Sequence, residues 1–168
     1  MPLSMYQASI PVFTRMLGNL AAILKKAEAN AAARKIDPSV FVNARLAPDM
    51  HPLSRQIQIA TDGVKGCAAR LAEVEIPSYP DTETTFDELQ ARIAKTVAFL
   101  ESFKPEQIDG SDARTVTLKL GPNEMSFPGP VYLLNFVTPN FYFHVTTAYA
   151  ILRANGVEIG KMDFLGRP

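Results

Sequence analysis

The 168-residue chain is short of several things: it has one cysteine, two histidines and no excess of either charge. The single thiol, Cys67, excludes an intrachain disulfide framework and is compatible with a reducing cytoplasm. The 17 basic and 17 acidic residues cancel, so no net field draws nucleic acid or an anionic membrane. No stretch of roughly 18 residues is apolar enough to span a bilayer. Even the run around His144 is interrupted by Asn135, Thr138, Pro139 and Asn140. The opening MPLSMYQASIPVF lacks a basic region followed by an unbroken apolar segment, so it does not read as a signal peptide. There is no phosphate loop, no G-x-S-x-G elbow and no H-E-x-x-H, and those chemistries lose their support. No internal repeat or low-complexity tract divides the chain. The expectation is one domain, residues 1–168, able to bury about 70% of the surface of its unfolded chain.

What is present is helical periodicity. Ser4 and Gln7 have the spacing of a capping box. Beyond them Ile10, Phe13, Leu17, Leu20, Leu24, Ala27 and Ala31 recur in steps of three and four, the stripe of one long helix. Pro11 predicts either a bend or a helix that truly begins near Ser9. A loop with Asp37-Pro38 and Pro48 leads to a second helix, with Asp49 as its expected N-cap. Its stripe is Met50, Leu53, Ile57, Ala60, Val64, Cys67 or Ala68, and Leu71; Gly63 and Gly66 would let a neighbouring helix come close. Pro77 and Pro80 mark a connection. A third helix opens on the Thr85/Glu88 capping box, carries Phe86, Leu89, Ile93, Val97, Leu100 and Phe103, and stops at Pro105.

RTVTLKL then alternates, with Val116, Leu118 and Leu120 on one side. With a turn at Gly121-Pro122-Asn123 and the segment EMSF it predicts a small hairpin, which must pack on the helices to be stable. Gly129-Pro130 opens a fourth helix that runs to Asn155 and is capped by Gly156. The fold class is all-α: a four-helix bundle with a β-hairpin between the third and fourth helices.

Helical spacing orients the candidate site residues. Asn135, Thr138, Tyr142, Thr146, Tyr149 and Arg153 form one polar stripe of the fourth helix, and its tyrosines and arginine suit a dimer interface. His144 lies roughly 200° from Tyr142 around the helix. It therefore faces the interior with Leu133, Val137, Asn140 and Ala148. On the second helix His51 lines up with Arg55, Gln58 and Asp62 and faces out, while Gln56 flanks the apolar stripe and can reach inward. Pro139 leaves the Asn135 carbonyl without an intrahelical donor one residue before Asn140, which predicts a kink. Cys67, on the apolar stripe, reads as inert packing.

PDMHPLSRQIQIATD, RLAEVEIPSYPDTETTFDELQARI and TPNFYFHVTTAYAILRANGVEIGK together resemble a bacterial family of uncharacterised domains within the DinB/YfiT-like superfamily. The likeness covers nearly the whole chain and implies a four-helix bundle, commonly a homodimer. In the wider superfamily it implies a divalent metal such as zinc, nickel or iron, held by one histidine of the second helix and an H-x-x-x-H pair of the fourth. Three imidazoles leave positions open for water or a thiolate, and some branches are thiol-dependent transferases or isomerases. Carried onto this chain, His144 takes the place of the second histidine of the pair. Asn140 takes the first, and Gln56 is the nearest inward polar residue of the second helix. An amide oxygen is a poor ligand for zinc or nickel, so the implied metal site is left with His144 alone.

Three functions stay open. One is a small-molecule pocket formed by His144, Asn140 and Gln56. Another is a divalent-metal enzyme working with a low-molecular-weight thiol. The third is a structural or partner-binding dimer, with His144 merely satisfied in the core by Asn140, Gln56 or a backbone carbonyl.

Overall fold

The computed structural model describes residues 3–166 and, within them, every side chain but that of Leu120. The chain is mostly helical, with one two-stranded antiparallel hairpin. Four long helices share a single hydrophobic core: α1 (Ile10–Ala33), α3 (Leu53–Leu71), α4 (Phe86–Glu101) and α7 (Thr138–Ala154). α3 packs along α7 and α4, and α1 along α4 and α7. Among the described residues no helix is long and apolar enough to cross a membrane.

The Ser4/Gln7 capping box forms. The Ser4 N–H donates to Gln7 Oε1 at 3.1 Å, and the Gln7 N–H to Ser4 Oγ at 3.2 Å. It closes a separate turn, however, and α1 begins only at Ile10, which leaves Pro11 in the first turn where its missing N–H costs nothing. All seven residues of the expected stripe are buried.

The expected loop before the second long helix holds a short helix, α2 (Pro38–Val42), capped by Asp37, which accepts from the Ser39 N–H at 2.9 Å. Phe41 and Val42 of α2 are buried. Asp49 is not the N-cap of α3. That position falls to Pro52, in extended conformation, and Met50 lies outside the helix. The reason is local: a residue before proline is driven out of the α region, so the helix cannot run back through His51. At α4 the Thr85 box is complete, with Thr85 Oγ1 accepting the Glu88 N–H at 3.2 Å and Glu88 Oε2 accepting the Thr85 N–H at 3.0 Å.

After a short helix, α5 (Pro105–Ile108), and a 3₁₀ turn, strands β1 (Thr115–Leu120) and β2 (Asn123–Pro128) pair with Val116 opposite Phe127 and Leu118 opposite Met125. Val116 and Leu118 turn into the core, which holds the hairpin on the helices.

The fourth helix is not continuous. A single turn, α6 (Gly129–Val131), passes into a π-helical segment over Tyr132–Val137 before α7 starts at Thr138. This widened stretch ends just ahead of Pro139 and leaves the proline in the first turn of α7, where a missing N–H costs least. Thr138 Oγ1 donates to the Leu133 carbonyl at 2.8 Å. Gly129, at the entry, is held against the 3₁₀ turn: a Cβ there would lie 1.9 Å from the Ser111 carbonyl oxygen.

One polar face differs from expectation. Gln58, on the line thought to be solvated with His51, is buried, as are Thr61 and Lys65 beside it. The connection 72–85 folds back over this face of α3 and is pinned there by Arg92 of α4, only 4% exposed. Arg92 Nε donates to Thr61 Oγ1 at 2.8 Å, and Nη1 to Glu83 Oε1 at 2.9 Å and to the Pro80 carbonyl at 3.2 Å. Nη2 lies 2.9 Å from Asp62 and 3.2 Å from Asp81 but is aligned for a hydrogen bond to neither. Lys65 and Lys95 stand 3.8 and 4.2 Å from the centroid of the Tyr79 ring.

Replacing Arg92 by leucine would leave Glu83 without its cation and Asp62 with Lys65 alone. Because Asp62 is part-exposed, the expected loss is about 2–3 kcal/mol, below that of a fully buried pair. Urea denaturation should show the lowered midpoint, and limited proteolysis should show earlier cleavage within 74–84. Unchanged stability and cleavage would mean that the connection is held by something else.

Candidate functional site

The residues singled out on the second and fourth helices meet at the seam between α3 and α7. His144 is 8% exposed, and Leu133, Val137 and Ala148 of its face are buried with it. Its Nδ1 lies 2.7 Å from Gln56 Oε1. Gln56 is itself held from the other end, its Nε2 donating to the His51 carbonyl at 3.0 Å. A carbonyl can only accept, so the amide must turn its NH2 to His51 and its oxygen to the imidazole. Nδ1 must then carry the proton. The ring is the Nδ1–H tautomer, and the lone pair sits on Nε2. Nε2 has no hydrogen-bond partner among the described residues and is not sealed from solvent.

Burial pushes His144 below the ordinary imidazole value, and His51 and Arg55 add to the shift. The ring is therefore neutral at neutral pH. The chain builds a hydrogen-bond acceptor, fixed in orientation from behind, inside an otherwise apolar helix face.

Asn140 takes less part. It is half-buried one turn before His144, and its Nδ2 lies 3.6 Å from where a Cβ of Gly63 would be. Gly63 thus permits the close approach of α7, as its place in the sequence suggested. Gly63 is seven residues beyond Gln56 on α3, so Asn140 meets α3 two turns from Gln56 while lying one turn from His144 on α7. No hydrogen bond among the described residues joins Asn140 to either partner. His51 is exposed, as expected, and contributes its backbone oxygen rather than its ring. Cys67 is fully buried, and burial pushes its thiol up to about 12.

These donors do not suit the metal that the resemblance implied. One imidazole is joined by an amide whose oxygen is already taken by that imidazole and by a second amide one turn away on α7 that bonds to neither. No cluster of three histidine, cysteine or carboxylate side chains exists among the described residues. A catalytic zinc, nickel or iron centre needs three such ligands.

Sequence reasoning missed the polar cluster around Arg92 because Gln58 and Asp62 share a helix line with exposed His51. The available signal was Arg92 and Thr96, four apart beside the Leu89–Ile93–Leu100 stripe, where a guanidinium cannot stay dry without partners.

A protein with this arrangement is similar in structure to a DinB family member protein from Shewanella denitrificans. The two are 41% identical, with a TM-score of 0.88 over 97% of this chain and 92% of that chain. The model of DUF1993, described as a domain of unknown function, matches residues 5–165. The chain belongs to the DUF1993 family, an uncharacterised domain of the DinB-like superfamily. No curated protein matches it.

Two outcomes are expected. His144 has a depressed value when folded and an ordinary value of 6.5 when unfolded. Its neutral form stabilises the fold above that pH, and the contribution is lost as pH falls through the folded value. The stability gap between wild type and His144→Gln should therefore narrow on acidification below about 6.5, as read by thermal unfolding across pH. Cys67 should not react with Ellman's reagent at neutral pH in the native protein and should react fully in denaturant. A thiol titrating readily in the folded state would overturn that assignment.

Proposed function

We propose that this DinB-like protein is a four-helix bundle that binds a small molecule at the α3–α7 seam without a metal. The observation that supports this most is the relay from the His51 carbonyl through the Gln56 amide to His144. It leaves a neutral Nε2 lone pair at a position solvent can reach. Orienting an imidazole from behind is characteristic of histidines that receive something in front. With the metal ligands reduced to one, what Nε2 can receive is an N–H or O–H group of a ligand. Asn140, further along the seam, offers a donor and an acceptor to a ligand long enough to reach it.

The metal-and-thiol enzyme reading is weaker because the donor set is incomplete. The homodimer implied by the resemblance has support of its own kind. Phe143 and Leu134, from α7 and the π segment, are 55% and 54% exposed, apolar side chains that a partner copy could cover.

The test uses wild type, His144→Ala and Gln56→Leu in a thermal-shift screen of small molecules bearing N–H or O–H donors. Zinc, nickel and iron(II) titrations run in parallel, with protein mass followed by light scattering. Compounds that stabilise wild type but neither variant, with no stoichiometric metal, are the expected result. Near-stoichiometric metal binding that disappears in His144→Ala would overturn the metal-free reading. Hits indifferent to both substitutions would overturn the site. A monomeric mass at working concentration would remove the dimer.

A further inference from the structure

A cavity lies on the other side of α7, away from His144. Its volume is about 380 Å³, and it sits between the first turns of α1, Tyr142 of α7 and the C-terminal helix α8 (Lys161–Leu165). That is within the size range of small-ligand sites. Val12 and Leu165 provide apolar walls, and Gln7, Arg15, Asn19 and Tyr142 provide the polar groups.

The α8 wall is built in rather than loosely laid on. Lys26 pairs with Asp163 at 2.6 Å, Asn19 Nδ2 donates to the Phe164 carbonyl at 3.0 Å, and Arg15 Nη2 to the Leu165 carbonyl at 3.1 Å. Gly166, with φ of +72°, closes the helix so tightly that a Cβ would lie 2.5 Å from Asn19 Oδ1. The Phe164 ring packs edge-on to Tyr149, 6.0 Å between centroids.

What remains unused in the lining is mostly donors. Gln7 spends its oxygen on the Ser4 N–H, which leaves its NH2 free. Arg15 has used only Nη2, and the Tyr142 hydroxyl has no partner among the described residues. Among the described residues Arg15 is the one charged side chain in the lining, and no carboxylate lines the cavity with it. A single guanidinium with spare parallel N–H groups matches a planar carboxylate better than a sphere of charge.

We propose that this cavity binds a small carboxylate with an apolar body, the carboxylate on Arg15 and the Tyr142 hydroxyl, the body between Val12 and Leu165. The site is separate from the His144 seam and stands or falls independently of it.

The test is a ¹H–¹⁵N NMR titration of the full chain with hexanoate, benzoate and, as the reversed charge, hexylammonium. Saturable shifts at Arg15, Asn19 and α8 are expected with both acids, at Kd of about 1 mM or tighter. Arg15→Gln should weaken hexanoate by about tenfold or more, and Tyr142→Phe, which keeps the ring, should weaken it less. Arg15 is exposed, so its variant keeps the fold, and its unchanged amide spectrum away from the cavity verifies that. Equal shifts from hexylammonium, undiminished hexanoate binding in Arg15→Gln, or no saturation by about 20 mM would overturn the proposal.

Discussion

Everything in this fold turns on how α3 is rotated about its own axis. The helix carries an apolar stripe, but it also carries polar groups that must be paired on two sides at once. Gln56 has to meet His144 on α7, and Thr61 and Asp62 have to meet Arg92 on α4. Buried polar atoms without partners cost more than paired ones return, so few rotations of α3 satisfy both faces. The chosen rotation puts Ile57, Ala60, Val64 and Cys67 in the core between them. Gly63 then lets α7 come close enough to complete the seam.

Two consequences reach outward from α3. Toward α4, Arg92 draws the proline-bearing connection 72–85 down over the helix pair, so a segment that would otherwise be loose becomes part of the structure. Toward α7, the His51 carbonyl sets the Gln56 amide, and Gln56 sets the tautomer of His144. The second chain of contacts is short and has only hydrogen bonds in it, yet it decides which imidazole nitrogen can meet a ligand. A backbone carbonyl two residues before the first residue of α3 therefore governs chemistry on another helix.

The interruption before α7 belongs with this seam. Pro139 cannot donate, and an unbroken α-helix through it would leave the carbonyl of Asn135, an exposed residue, without its helical donor. The π segment lies just upstream and carries Tyr132 and Phe136, whose rings stack at 6.2 Å with Phe127 of the hairpin beside them. His144 and Asn140 are then carried on a regular helix. The irregular turn and the hairpin thus serve one end of the same helix that holds the candidate site.

The helical periodicities determined most of what is regular. The α1 stripe, the Thr85 capping box, the hairpin alternation and the inward direction of His144 all follow from local spacing, because period 3.6 and period 2 patterns state which side an apolar residue must take. That Gln56, like His144, reaches inward was also legible, since each flanks an apolar stripe. The start of α3 at Leu53 rather than after Asp49 was a local matter too, since Pro52 outweighed a good capping residue. Tertiary structure alone buried Gln58 and Lys65, because a distant arginine needed the connection folded over them. It alone also decided that His144 stands opposite Gln56 and Asn140 opposite Gly63. Helical spacing says which face a residue occupies. How far along a neighbouring helix it arrives depends on how the two helices slide, and no pattern within one helix encodes that.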